Sequence, residues 1–158
     1  MRLISRLPLP LLYAIFGVVA WVLRVAGWRR KFVDEGLARC LPERDAAERG
    51  RVASDFYAGL GRLFAEALHG ARIAPGQLEQ RVRFEDEAVV RNALTGGRRV
   101  LLLAAHHCNW EWLLLECSRR LGAPLVAAYK PLSWPGGDRW IRDMRSRFGA
   151  TMVPARDI

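Results

Sequence analysis

Six consecutive residues, His106-His107-Cys108-Asn109-Trp110-Glu111, place imidazoles, a thiol, an amide and a carboxylate side by side after a wholly apolar run. An imidazole of this kind can take a proton from an attacking hydroxyl. If a helix starts at about Trp110, its positive end opposes a second positive charge on His106 and leaves a neutral base available. Glu111 could then orient the His106 tautomer, as the acid of a catalytic triad does. On one regular helix, five positions would turn the two side chains about 140° apart at 3.6 residues per turn. A tight turn between them is what makes the pair workable.

Three other readings of the same residues stay open. In the plainest, Asn109 caps the helix, Glu111 complements its positive end and one histidine satisfies a backbone group. A metal site would use the histidine, cysteine and glutamate ligands. However, His106, His107 and Cys108 are adjacent rather than spaced as ligands, and the one other histidine is His69. A covalent mechanism through Cys108, with His106 or His107 as its base, is the third.

The elements that must position these residues follow from periodicity. Residues 99–105 read as a strand buried on both faces, 110–121 as a helix closed by Gly122, and 125–129 as the next strand, which together make a βαβ unit. A further helix over 138–148, stopped by Gly149, and a strand restarting at 150–153 repeat the pattern. Upstream, residues 43–69 form a long amphipathic helix whose apolar stripe runs through Val52, Phe56, Leu60, Phe64 and Leu68. The predicted fold is α/β: an N-terminal membrane helix and amphipathic helices, followed by βαβ units of a largely parallel sheet. His106 would lie at the carboxyl edge of that sheet, where open α/β folds bind ligands.

The N-terminus carries the targeting signal. Residues 7–23 hold no charge, and a helix over 11–28 would be about 27 Å long, against about 30 Å of bilayer hydrocarbon. A spanning anchor and a monotopic helix lying in the interface both fit, the second because Pro8 and Pro10 interrupt the start. Arg29, Arg30 and Lys31 follow the apolar run and put the body of the protein on the cytoplasmic side. The domain boundaries implied are 1–30 for the anchor segment and 31–158 for the body. A net charge of +9 attracts polyanions, but the arginines are scattered instead of gathered beside stacking aromatics, so no nucleic-acid partner is expected. Three widely spaced cysteines without a CxxC pair argue against a disulfide framework and a zinc knuckle and fit a reducing, cytosol-facing compartment.

The block VLLLAAHHCNWEWLLL over residues 100–115 resembles the H-x4-[DE] block of the lysophospholipid acyltransferase superfamily. In particular it is similar to the HxGNWE form of the lipid A biosynthesis lauroyl/myristoyl acyltransferases. The apolar N-terminal segment resembles that family's membrane anchor. Tyr129-Lys130-Pro131-Leu132 resembles its YRPL block, and residues 138–149 its arginine-rich segment. The resemblance implies His106 as general base and Glu111 as its partner, with Arg145, Lys130 and Asn109 as substrate-binding residues. It implies transfer of a fatty acyl chain from an acyl-carrier-protein thioester to a hydroxyl of a phosphorylated, glucosamine-based lipid A precursor, at the inner membrane and without metal or organic cofactor. His107 falls on a variable position, Cys108 stands where the family has glycine, and Lys130 where it has arginine. Family members are about twice as long, so the chain is expected to be an N-terminal portion of a truncated sheet. The alternative to an enzyme is then a catalytically inactive membrane-associated fragment or interaction module.

Overall fold

The computed structural model describes residues 4–157, which are mostly helical and form two compact units. One is Leu7–Glu66; the other joins the short 3-10 helix Ile4–Arg6 to the chain from Ala67 onward.

The first unit holds α1 (Leu9–Val25), α2 (Arg30–Cys40) and α3 (Ala46–Gly70) as far as Glu66. Pro10 sits in the first turn of α1, where a missing N–H leaves no bond unmade. Asp45 and Glu48 close the start of α3 reciprocally: the Glu48 amide donates to Asp45 Oδ1 at 2.8 Å and the Asp45 amide to Glu48 Oε2 at 3.2 Å. The buried face of α3 is displaced from the expected stripe. Tyr57, Gly61, Ala65 and Leu68 are buried, whereas Phe56 and Phe64 are exposed. Small residues decide this, because they let α1 approach the backbone of α3. A Cβ on Gly61 would stand 2.6 Å from the Phe16 carbonyl oxygen and 2.9 Å from the Ala20 Cβ. Phe64 instead stacks on Phe16 at the flank of the contact, with ring centroids 6.4 Å apart. Two hydrogen bonds tie the packing, Tyr13 Oη donating to Glu66 Oε1 (2.7 Å) and Tyr57 Oη to the Trp28 carbonyl (2.6 Å).

Helix α2 breaks from α1 at Gly27 and Arg29, both in the left-handed region, and the two axes meet at 87°. No single helix among the described residues is long and apolar enough to cross a membrane; α1 and α2 pass by length and composition only as a bent pair. The sequence predicts neither α2 nor two further helices, α4 (Pro75–Arg81) and α5 (Glu87–Thr95).

The second unit continues with α6 (Trp110–Arg120), β1 (Val126–Tyr129), α7 (Pro135–Arg145) and β2 (Thr151–Pro154). The strands pair in parallel, with Val126 opposite Thr151 and Tyr129 opposite Pro154, so the later βαβ unit forms as expected. The earlier one does not. Residues 99–105 form no strand, and Leu101 and Leu103 are 83% and 88% exposed. A strand exists only through a ladder with a neighbour, and among the described residues β1 pairs with β2 alone. The sheet therefore has two strands in place of the larger one predicted, and His106 follows an exposed segment without regular secondary structure instead of a sheet edge. Helix α6 is the organising element here, packing against both α4 and α7. Ile73, Leu78, Trp112, Leu115 and Met144 are buried, and Gly70 at the end of α3 lies against Trp112, Leu115 and Met144.

Candidate active site

The turn before α6 owes its shape to two residues. Asn109 is the N-cap, its side-chain oxygen accepting from the Trp112 amide at 2.9 Å and so satisfying one of the donors that a helix start leaves open. Cys108, just before it, has φ +52°, a left-handed conformation that glycine adopts without strain. The position where the resembled family carries glycine is thus one whose backbone geometry suits glycine. The Cys108 thiol lies 3.3 Å from His107 Nδ1, and both side chains are exposed.

His106 is also exposed, its ring 4.6 Å from that of Trp110 in a tilted contact. Glu111, by contrast, is buried, with 5% of its side chain accessible. Its carboxylate takes both arms of Arg145: Nε donates to Oε2 at 2.8 Å and Nη2 to Oε1 at 2.6 Å. The indole N–H of Trp110 adds a third bond, to Oε1, at 3.1 Å. Arg145 is held above the usual guanidinium range, first by this hydrogen bonding and then by the charges of Glu111, Tyr129 and Asp138, against the opposing effect of burial.

The structure therefore joins two of the expected site residues, Glu111 and Arg145, that sequence reasoning assigned to different tasks. Among the described residues no hydrogen bond joins His106 to Glu111. Lys130 is exposed immediately after β1. Asp138 was not expected at the site. It accepts from the Leu132 amide (3.0 Å) and the Tyr129 hydroxyl (3.3 Å), which fixes the segment carrying Lys130. Its one sequence signal is an acid in the first turn of a helix that begins at Pro135. No group of three or more histidine, cysteine, aspartate or glutamate side chains arranged to hold a metal occurs among the described residues.

Chemically, the site offers an accessible imidazole, the positive end of an eleven-residue helix, and a buried carboxylate anchored by a bidentate arginine. Such a helix start can stabilise an anion that develops on a carbonyl oxygen.

The model of the family described as bacterial lipid A biosynthesis acyltransferase matches residues 1–158. No curated protein and no solved structure matches the chain.

Proposed function

The chain belongs to the bacterial lipid A biosynthesis acyltransferase family, and on that premise we propose that it transfers a fatty acyl chain from an acyl-carrier-protein thioester to a hydroxyl of a phosphorylated lipid A precursor, with His106 as general base. The observation that carries this reading is the exposed His106 imidazole just before the positive start of α6, whose first turn carries the buried, anchored Glu111 carboxylate.

In this mechanism His106 removes the hydroxyl proton as the oxygen attacks the thioester carbonyl. The C–O bond forms, backbone donors at the start of α6 receive the oxyanion, and the C–S bond breaks on collapse. The imidazolium then returns its proton to the departing thiolate. Glu111 acts as the partner that orients His106. A carboxylate offers about four acceptor positions, and Arg145 and Trp110 occupy three, two on Oε1 and one on Oε2. Oε2 keeps one for the imidazole N–H. Arg145 contributes by holding the carboxylate, Asn109 by shaping the turn, and Lys130 by meeting a phosphate of the acceptor. The apolar α1 associates with the inner membrane, and the catalytic residues face the cytoplasm.

The test is an assay of the membrane-bound protein with acyl-carrier-protein donors of several chain lengths, followed by mass analysis of the lipid product. His106→Ala is expected to lower transfer by at least about 100-fold, the scale of a lost general base, with membrane association unchanged. Transfer retained by this variant would sink the mechanism. A folded, membrane-bound wild-type chain that turns over no donor would instead favour the inactive interaction module.

A further inference from the structure

Away from the His106 turn, the second unit holds a cleft of about 580 Å³ lined by Ser5, Arg6, Arg72, Trp140, Asp143 and Arg147 together with Ala71 and Met144. Its three arginines come from three separate segments: the 3-10 helix Ile4–Arg6, the turn after α3 and the turn after α7. They face a single carboxylate, Asp143. Among the described residues, neither Arg6 nor Arg72 makes an ion pair. Arg147 is oriented by the backbone, donating to the Gly70 carbonyl at 2.5 Å and to the Ile73 carbonyl at 3.2 Å. Those bonds fix the guanidinium without neutralising it. Burial and then the nearby charge of Arg72 hold Arg147 below the usual guanidinium range.

Three like charges that share a single counter-charge, Asp143, still repel one another, and a bound anion removes that cost. Guanidinium groups match the oxygens of a phosphoryl group, and three from different directions suit its tetrahedral shape better than a planar carboxylate. The cleft is also much larger than a bare phosphate, and Trp140 supplies a flat apolar wall beside the charges. We propose that the cleft formed by Arg6, Arg72, Arg147 and Trp140 is a binding site for a phosphoryl group carried on a larger molecule. It is separate from the catalytic residues, since neither His106 nor Glu111 lines it.

The phosphoryl group could belong to a lipid head group or to a soluble phosphorylated compound, and two measurements on the full chain in uncharged detergent or with vesicles separate these sources. In the first, inorganic pyrophosphate is titrated calorimetrically at constant ionic strength. In the second, flotation compares phosphatidylcholine vesicles with and without phosphatidic acid. Arg72→Gln is the variant of choice because, among the described residues, the Arg72 side chain makes no hydrogen bond to the backbone. It should weaken binding about tenfold, as expected for a lost charge-assisted contact. Arg139→Gln, an exposed arginine of α7 outside the cleft, should bind as wild type. Weakening by Arg72→Gln in the pyrophosphate arm supports a site open to soluble phosphates, and weakening only in the vesicle arm supports a lipid head group. Equal affinity of the Arg72→Gln and wild-type proteins in both arms, or equal losses in Arg72→Gln and Arg139→Gln, overturns the site. Neither arm reads acyl transfer, so failure here leaves the proposed activity standing.

Discussion

Glu111 and Arg145 are 34 positions apart in sequence, yet they form the most constrained polar contact at the candidate site. Both side chains are largely out of water, 5% and 18% accessible, so each charge depends on the other for solvation. Breaking such a pair from one side leaves a charge buried without its partner, which costs about 3–5 kcal/mol. Arg145→Met is therefore expected to lose stability on that scale, with the Trp110 indole the one remaining side-chain donor to the carboxylate among the described residues. The double variant Glu111→Gln/Arg145→Met removes the orphaned charge and should recover part of the loss. Urea unfolding followed by circular dichroism measures both. A single variant within about 1 kcal/mol of wild type would mean that the pair contributes no more than a surface ion pair. Recovery in the double variant also separates this structural role from a direct part in catalysis, since restored stability need not restore transfer.

At the scale of elements, the close approach of the α1 backbone to α3 depends on one glycine. Adding a methyl group at Gly61 drives it into the Phe16 carbonyl, a backbone atom that moves only if the helices separate. Gly59, two residues earlier in the same helix, meets nothing within 4 Å. Glycine-to-alanine substitution should thus have opposite signs at the two sites. Gly59→Ala gains up to about 1 kcal/mol from helix propensity, whereas Gly61→Ala loses about 1–3 kcal/mol to overpacking. Thermal unfolding of the two variants checks this, and two shifts of the same sign would contradict the packing described. The same helix shows what was legible. A period near four identified α3, but the bulky Phe56 and Phe64 drew the expected core toward one side, whereas Tyr57, Gly61, Ala65 and Leu68 face inward. Hydropathy weighs large side chains and is blind to the close approach that small ones permit. Helix α6 and strands β1 and β2 were readable because Gly122, at positive φ, punctuates a clear pattern. For α7 the pattern predicts 138–148, whereas the helix runs Pro135–Arg145, so that Gly149 follows it by four residues and does not end it. Helix α2 was not readable, since it has no buried residue and its visible supports are exposed ion pairs, Arg30–Asp34 and Lys31–Glu35. The run 99–105 had the composition of a buried strand, but composition does not supply a pairing partner. At the site, His106, Asn109 and Glu111 were legible from local chemistry, whereas the link from Glu111 to Arg145 depends on how α7 returns beside α6.

For the whole molecule, the arrangement of α1 bears on the proposed membrane association. One face of the helix is taken: Leu9, Leu12 and Ala20 are buried, and Ala20 lies against Gly61. Leu11, Ile15, Val18, Val22 and Val25, spaced by three or four, line the opposite face and are all exposed, as is Trp21 beside them. At 17 residues α1 is about 26 Å long, short of the roughly 30 Å hydrocarbon layer. The turn to α2 at 87° ends it in the basic run that begins at Arg29. A helix with one face on protein, one apolar face outward and cations at its end fits insertion along the interface better than passage through it. The expected outcome is that Val18→Lys combined with Val22→Lys lowers partitioning to phosphatidylglycerol vesicles at least tenfold, because a lysine at hydrocarbon depth costs about 2.5–3.5 kcal/mol. Lysines placed on this face do not touch the buried contact with α3, so the helical signal in circular dichroism should be kept. Flotation of the folded double variant with the vesicles at the wild-type level would show that this face does not enter the lipid.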